Sequence, residues 1–506
     1  MPASASARHD GTALPAVAYT IGYTSLPALR AAVGAEGAVV VRRIPALRVA
    51  EVRSTTLPSR LARHPGISFV QRVALRRNAD EPALALSSGT TVPWEWQYAA
   101  TRADLVPARI LRAAGAVTIA VVDTGADLSA PDLAAKRPIT FSTRTRTTDV
   151  RDTVGHGTFV AALAAGSVTN GDGIAGFGGD AKLLVVKAGA GDGSFTDVDE
   201  ASAIAYGVDH GARIVNLSLG GTSSSVLEAS AIDYAAAHGV LVVAAAGNDF
   251  GGGNPTMYPA ALVQPLGSNG VGGKGLTVGA SDAAGQRAPF SSTGTYISLA
   301  APGERVFSAV ASTSQLELFP RVALPGSLGG FYGYGSGTSF AAPQVAGAAA
   351  LVMAANPRLD AEAVAAILKE TASGGGEWSP ELGYGVLDVA AAVERAGATR
   401  APAARSSLTL VARASTRQLT LTALLSSIVP AVSISSRRVA VDILRSGSWK
   451  QVGTARTNAT GKALFRLKLT LVGRLQLRAR WTGAGDLAPA TSSPVIVTVR
   501  KRPLRS

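Results

Sequence analysis

The sequence predicts an α/β protein: a doubly wound parallel sheet with a small α+β unit before it and an all-β sandwich after it. Three observations predict this. From Trp94 to about Thr399, short apolar runs alternate with amphipathic stretches at helical spacing, the pattern of repeated strand–helix–strand units. Ahead of them, residues 17–77 read as strand, helix, strand, strand, helix, strand. From about Ser406 the apolar period falls to two, as in Arg474–Trp481 and Phe465–Leu469. Roughly seven such runs argue for an immunoglobulin-like sandwich over 400–506.

The elements follow in order. Residues 1–16 are small and polar and are expected to be a disordered leader. In the small unit, strands are expected at Ala18–Tyr23, Ala38–Ile44, Leu47–Val52 and Ile67–Val73. Helices are expected at Pro27–Val33, with proline at a favoured first position, and at Leu57–His64. Residues 78–92 are rich in Ala, Ser, Gly, Pro and acids and read as a linker. Over 93–399 the strands include Val117–Val122, Leu183–Lys187, Ile214–Leu219 and Val240–Ala245. The helices include Glu200–His210, Val226–His238 and Ala361–Glu370. Ligands of such sheets bind beyond the carboxyl ends of the strands, so the loops there are where chemistry is expected.

Composition bounds the function. Of 506 residues, 47% are hydrophobic and 16% charged, which excludes a disordered chain. No apolar run is expected to reach the roughly 18 to 20 residues that span a membrane, and a soluble monomer is expected. The net charge of +14 divides into +6 over residues 1–90, −8 over the body and +16 over 401–506. An acidic body between basic flanks is not the pattern of a nucleic-acid enzyme. The absence of cysteine excludes disulfides, thiolate metal sites and a cysteine nucleophile. Arg outnumbers Lys 39 to 9, which points to a GC-rich, bacterial coding sequence.

Three motifs fall in the loops where the fold puts chemistry: Val121-Val122-Asp123-Thr124-Gly125, Gly155-His156-Gly157-Thr158, and Gly337-Thr338-Ser339-Phe340-Ala341-Ala342-Pro343, which opens a helix running to about Ala355. Together they read as nucleophilic acyl transfer. A serine hydroxyl attacks once a base takes its proton, and histidine does this near neutral pH. A carboxylate fixes the histidine tautomer and stabilises the imidazolium. Gly155, Gly157 and Gly337 are expected to let a substrate backbone approach, and Pro343 to be tolerated in the first helical turn. Asp-Thr-Gly also marks aspartic peptidases, but those need two copies and this chain has one.

The order Asp123, His156, Ser339 resembles that of the subtilisin-like serine peptidases (subtilases), over about residues 18–399. Ala244-Ala245-Ala246-Gly247-Asn248 looks like the family's oxyanion segment, with Asn248 as side-chain donor. Ser218-Leu219-Gly220-Gly221 resembles the segment whose backbone pairs with an extended substrate, and the resemblance implies that Ala246 and Gly247 line the first specificity pocket. Tyr258-Pro259-Ala260, Phe290–Gly294, Ala301-Pro302-Gly303 and Gly383-Tyr384-Gly385 match further landmarks. The sedolisins share the serine motif but use Glu for His and Asp as the oxyanion residue, and His156 and Asn248 point away from them.

The resemblance implies a secreted bacterial serine endopeptidase with protein and peptide substrates, broad specificity and an apolar residue before the cut. It implies that 17–77 is an inhibitory pro-domain, released by cleavage within about 76–92, with Leu84 and Leu86 suiting the enzyme's own pocket and Arg76-Arg77 another enzyme's. It also implies a structural calcium ion at Asp132 and Asn170. The alternating Arg466, Lys468, Arg474, Arg478 and Arg480 are expected on exposed faces, either simply solvated or attached to an anionic cell-surface polymer such as a cell wall. Phe159 and Phe340 replace the family's usual His and Met. Insertions at Val263–Lys274 and Thr313–Gly335 are expected to reshape the first pocket and the approach to the nucleophile. The rival reading is an inactive, surface-binding protein on the same fold.

Overall fold

The apolar runs of the body are continuous because both faces of their sheet are covered. In a computed structural model describing residues 16–77, 94–314, 319, 321–322, 330–414, 418–468 and 473–499, seven parallel strands stand in the order Leu299–Pro302, Gly275–Ser281, Leu241–Ala245, Ile214–Leu217, Thr118–Asp123, Lys182–Lys187 and Ile139–Ser142. Successive side chains point to opposite faces. Ile119, Val121, Leu183 and Val185 join one core with the helices His156–Ala165 and Thr338–Ala355. Ala120, Val122, Leu184 and Val186 join another with the helices Asp197–Asp209 and Val226–Ala237. The fold class is the one expected, with strand bounds shifted by a residue or two. Thr338–Ala355 is, by length and composition, apolar enough to cross a membrane, contrary to the expectation that no run is. It is apolar all round because it is almost wholly buried in the protein.

The N-terminal unit is a four-stranded antiparallel sheet, ordered Val39–Ile44, Val49–Ser54, Val17–Tyr23, Ile67–Arg72, with helices Leu26–Ala35 and Pro58–Leu61. Ser25 caps the first helix by accepting from Ala28 N. The unit rests on the Asp197–Asp209 and Val226–Ala237 helices: Ile44 and Val49 join their core, Arg42 pairs with Asp199 at 2.7 Å, and Gln71 Oε1 accepts from Val226 N at 3.0 Å. A strand not foreseen, Leu75–Arg77, pairs antiparallel with Ser194–Thr196. The predicted leader apart from Ala16, the linker with Leu84 and Leu86, and much of the 313–335 insertion lie outside the described residues.

The C-terminal region forms two antiparallel sheets. Ser406–Ala414, Gln418–Ser427 and Lys462–Lys468 make one. Ser448–Arg456, Arg438–Arg445, Gly473–Trp481, Ala490–Thr491 and Val495–Val499 make the other. Leu408, Leu421 and Phe465 from the first meet Val441, Leu477 and Trp481 from the second in one core. The expected basic faces are divided and partly neutralised. Arg466 lies on the first sheet and Arg474 on the second. Arg478 and Arg480 each reach Asp442 at 3.2 Å. The side chain of Lys468 lies outside the described residues.

Candidate active site

Every residue proposed for chemistry sits just beyond the carboxyl end of a parallel strand or at the start of a helix facing that edge. Asp123 ends its strand and His156 opens the following helix. His156 Nδ1 stands 2.8 Å from Asp123 Oδ1 with both side chains almost wholly buried. A carboxylate there accepts, so Nδ1 carries the hydrogen and Nε2 is the basic nitrogen. Asp123 Oδ1 also accepts from Thr124 N at 2.7 Å. The His156 turn is held by Asp152, whose carboxylate accepts from Gly155 N (2.8 Å), Thr158 N (2.8 Å), and the hydroxyls of Thr124 (2.9 Å) and Thr158 (2.6 Å). Gly155 adopts φ +98°, and a Cβ on it would lie 2.0 Å from Ser314 Oγ, while one on Gly157 would lie 2.2 Å from Gly125 O. The space these two glycines leave is filled by the protein's own chain, not kept for a substrate.

Ser339 is the second residue of its helix and is fully buried. Its Oγ makes no hydrogen bond among the described residues; catalytic hydrogen bonds are often long in unliganded sites and shorten in the complex. Its backbone is held firmly. Pro343 lies one turn further in than expected, inside the helix, so its missing N–H orphans the Ser339 carbonyl. Ser218 Oγ donates to that carbonyl at 2.7 Å and accepts from Asn216 Nδ2 at 2.9 Å. The Ser218→Ala variant is expected to lose about 1–3 kcal/mol of stability through the unsatisfied buried carbonyl, read as a lower midpoint in urea denaturation.

Asn248 follows the Leu241–Ala245 strand. Its Oδ1 accepts from Thr338 N at 2.8 Å and Thr338 Oγ1 at 2.9 Å, which fixes the other end of the amide as a donor. Leu219, Ala246 and Gly247 stand on the same edge, all buried. The two replaced family positions pack together: Phe159 and Phe340 have ring centroids 4.3 Å apart, with Phe319 of the second insertion 5.3 Å from Phe159. The Val263–Lys274 insertion does not wall this site. It runs to the amino end of the Gly275–Ser281 strand, and Val271–Lys274 line a cavity of about 590 Å³ with Leu241 and the Ala361–Glu370 helix, at the opposite edge of the sheet.

Asp132 and Asn170 are brought together, Asn170 Nδ2 lying 3.4 Å from Asp132 Oδ1. Asp132 also accepts from Ile174 N (3.0 Å) and Tyr332 Oη (2.9 Å). Glu95, which sequence reasoning passed over, accepts from Ala175 N at 2.8 Å in the same place. Burial pushes the Asp132 carboxyl up to about 6, and burial together with Asp132 pushes Glu95 to about 7. Among the described residues no cation is paired with either. Two carboxyls with no cationic partner among the described residues, Asp132 buried and Glu95 half-buried, fit an oxygen-seeking cation, although no cluster of three or more His, Cys, Asp or Glu stands among the described residues. Sequence reasoning also missed Thr338 and Asp152, whose neighbours in the motifs were its only signal.

Residues 114–385 match the subtilase family model. The chain is 36% identical over 234 residues to a thermophilic serine proteinase of Bacillus sp. (strain AK1), covering 46% of this chain and 51% of that protein. It is 34% identical over 296 residues to subtilisin DY of Bacillus licheniformis, covering 58% and 96%. The chain thus spans about half the length of the first relative and nearly all of the second. Among solved structures it resembles fervidolysin from Fervidobacterium pennivorans, described as a keratinolytic enzyme related to subtilisin, with a TM-score of 0.65 at 23% identity, covering 93% of this chain and 71% of that one. The chain belongs to the subtilase family.

Proposed function

We propose that the protein is a serine endopeptidase. The observation that carries this reading is the buried 2.8 Å bond between His156 and Asp123, placed at the strand edge that faces the start of the Ser339 helix. In this reading Ser339 Oγ attacks the scissile carbonyl as His156 Nε2 takes its proton, giving a tetrahedral oxyanion. His156 then returns the proton to the leaving amine as the peptide C–N bond breaks and the acyl-enzyme forms, with Asp123 stabilising the imidazolium between the two transfers; water, activated by the same histidine, hydrolyses the acyl-enzyme and frees Ser339. Asn248 donates to the oxyanion, and a large apolar residue precedes the cut. Labelling of processed protein with a serine-directed phosphonate tests it: the label is expected on Ser339, and an unlabelled Ser339 would sink the reading in favour of an inactive binding protein.

The N-terminal unit acts as an intramolecular inhibitor, supported by the Leu75–Arg77 strand lying against Gly220 of the segment expected to hold substrate. The protein acts outside the cell, as the family resemblance implies. Attachment to an anionic polymer would rest on Arg466 and Arg474, both exposed, and on charges elsewhere in the C-terminal region. Binding of this protein to such a polymer is then expected to be lost as salt rises, since exposed charges are screened.

Asp132, Asn170 and Glu95 would hold a structural calcium ion, which would neutralise the two carboxylates. EDTA is expected to lower the thermal midpoint of the processed enzyme and millimolar Ca²⁺ to restore it, because a ligand of the folded state alone stabilises it by mass action. A midpoint indifferent to both removes these three residues as ligands.

A further inference from the structure

The tail of the N-terminal unit ends in a side chain that ordinary packing does not explain. Arg76 is 1% exposed. Its Nε and Nη2 donate to the two carboxylate oxygens of Glu228, the second at 2.5 Å, and Nη1 donates to the carbonyl of Leu75 at 2.9 Å. The Glu228 side chain is itself wholly buried. Two more acids stand around the guanidinium. Glu200 is fully buried, with neither oxygen accepting a hydrogen bond from a donor among the described residues. Asp197 is buried and accepts from Ala74 N at 3.1 Å and Ser225 Oγ at 2.7 Å. Burial, and then the neighbouring Glu228 charge, hold the Glu200 carboxyl well above the usual carboxylate range. Gly221 closes one side, since a Cβ there would come 3.3 Å from Arg76 Cδ.

One carboxylate would be enough to anchor a docked unit. A wholly buried carboxylate crowded by two further acids is unfavourable unless a cation pairs with it. All three belong to the part of the chain that stays when the N-terminal unit leaves.

The backbone around Arg76 places this cavity relative to the nucleophile. Arg76 faces Phe195 across one strand pair, and on the other side Arg77 exchanges both hydrogen bonds with Gly220, at 3.0 and 2.9 Å. Any peptide laid along this edge in the same register delivers one side chain into the acidic cavity. Its third residue beyond that one falls opposite Ser218, whose hydroxyl holds the carbonyl of Ser339. On the endopeptidase reading, with Ser339 Oγ attacking the carbonyl of that third residue, the cavity holds the fourth residue ahead of the cut.

Resting on the endopeptidase reading, we propose that the cavity of Glu228, Glu200 and Asp197 is a substrate subsite selective for arginine at the fourth position before the scissile bond, and that Arg76 occupies it as the enzyme's own first substrate. Arginine is favoured over lysine because its planar fork meets both oxygens of Glu228 at once. A neutral side chain leaves the buried carboxylate unpaired, so the discrimination exceeds what an apolar pocket achieves.

The test is a set of fluorogenic peptides identical except for Arg, Lys, Leu or Ala at that position, with an apolar residue before the cut, turned over by the processed wild-type enzyme. kcat/KM for Arg is expected to exceed that for Leu and Ala by on the order of 10²-fold, with Lys between. In Glu228→Leu the order of Arg and Leu is expected to invert. The wild-type series decides the matter even if that variant does not mature. Cleavage of all four peptides at similar rates, or a preference for Leu, overturns the proposal while leaving the endopeptidase reading standing, and makes Arg76 a docking contact only. Cleavage of none overturns the endopeptidase reading and the subsite with it.

Discussion

Full-length Ser339→Ala is expected to accumulate uncut in a protease-free host, while the wild type loses its N-terminal unit by cleavage within residues 78–92. Turnover of peptides is expected to fall by about 10⁶, the size of the loss when the nucleophile is removed from subtilisin itself. The argument rests on how the chain enters the site. Leu75–Arg77 lies between Ser194–Thr196 and Gly220, on the segment that leads to Ser218 and through it to Ser339. The same strand pairing bears on one alternative. With Arg76 1% exposed and bound to Glu228, the Arg76 side chain is closed to a second enzyme in the intact chain, whereas that of Arg77 is exposed. N-terminal sequencing of both proteins distinguishes the cases. If Ser339→Ala is cut at the same bond as the wild type, maturation is not autocatalytic.

What the sequence made legible, and what it did not, follows from the range of each interaction. The parallel sheet was readable because its strands are buried on both faces and appear as unbroken apolar runs, as in Ile119–Val122. Asp123, His156 and Ser339 were readable because each lies in a short motif whose neighbours are consecutive residues. Contacts made across large sequence distances left no local mark. Ser218 caps the Ser339 carbonyl over 121 positions, and Arg76 meets Glu228 over 152. Glu228 sits in the first turn of an ordinary helix, where an acid is expected for the helix dipole alone. Pro343 was placed a turn too early because the sequence gives no sign that a side-chain hydroxyl replaces the missing amide as partner to Ser339. The basic stripe was misjudged for a related reason: Asp442 is one of only two acids after residue 400, and strand register, not composition, brings Arg478 and Arg480 to it.

Asn248→Ala is expected to lower kcat by about 10²–10³, with KM nearly unchanged, the magnitude again being one known from subtilisin. Thr338 explains why the effect should fall on kcat. Its N–H and hydroxyl both point at Asn248 Oδ1, at 2.8 and 2.9 Å, so the amide cannot rotate without losing two buried hydrogen bonds. The NH₂ end is therefore set as a donor before any substrate arrives, and no reorganisation is needed as the oxyanion forms. A donor aimed at the oxyanion helps most when the charge has developed, so removing it raises the barrier more than it weakens ground-state binding. Asn248→Asp separates this from packing: similar in shape, it replaces the donor with a carboxylate and is expected to be no more active than the alanine variant. Thr338→Val keeps the backbone N–H on Asn248 and is expected to lose less than Asn248→Ala. A raised KM at unchanged kcat in Asn248→Ala would instead make Asn248 a contact to the substrate, and the oxyanion would have to be held by backbone amides at the start of the Ser339 helix.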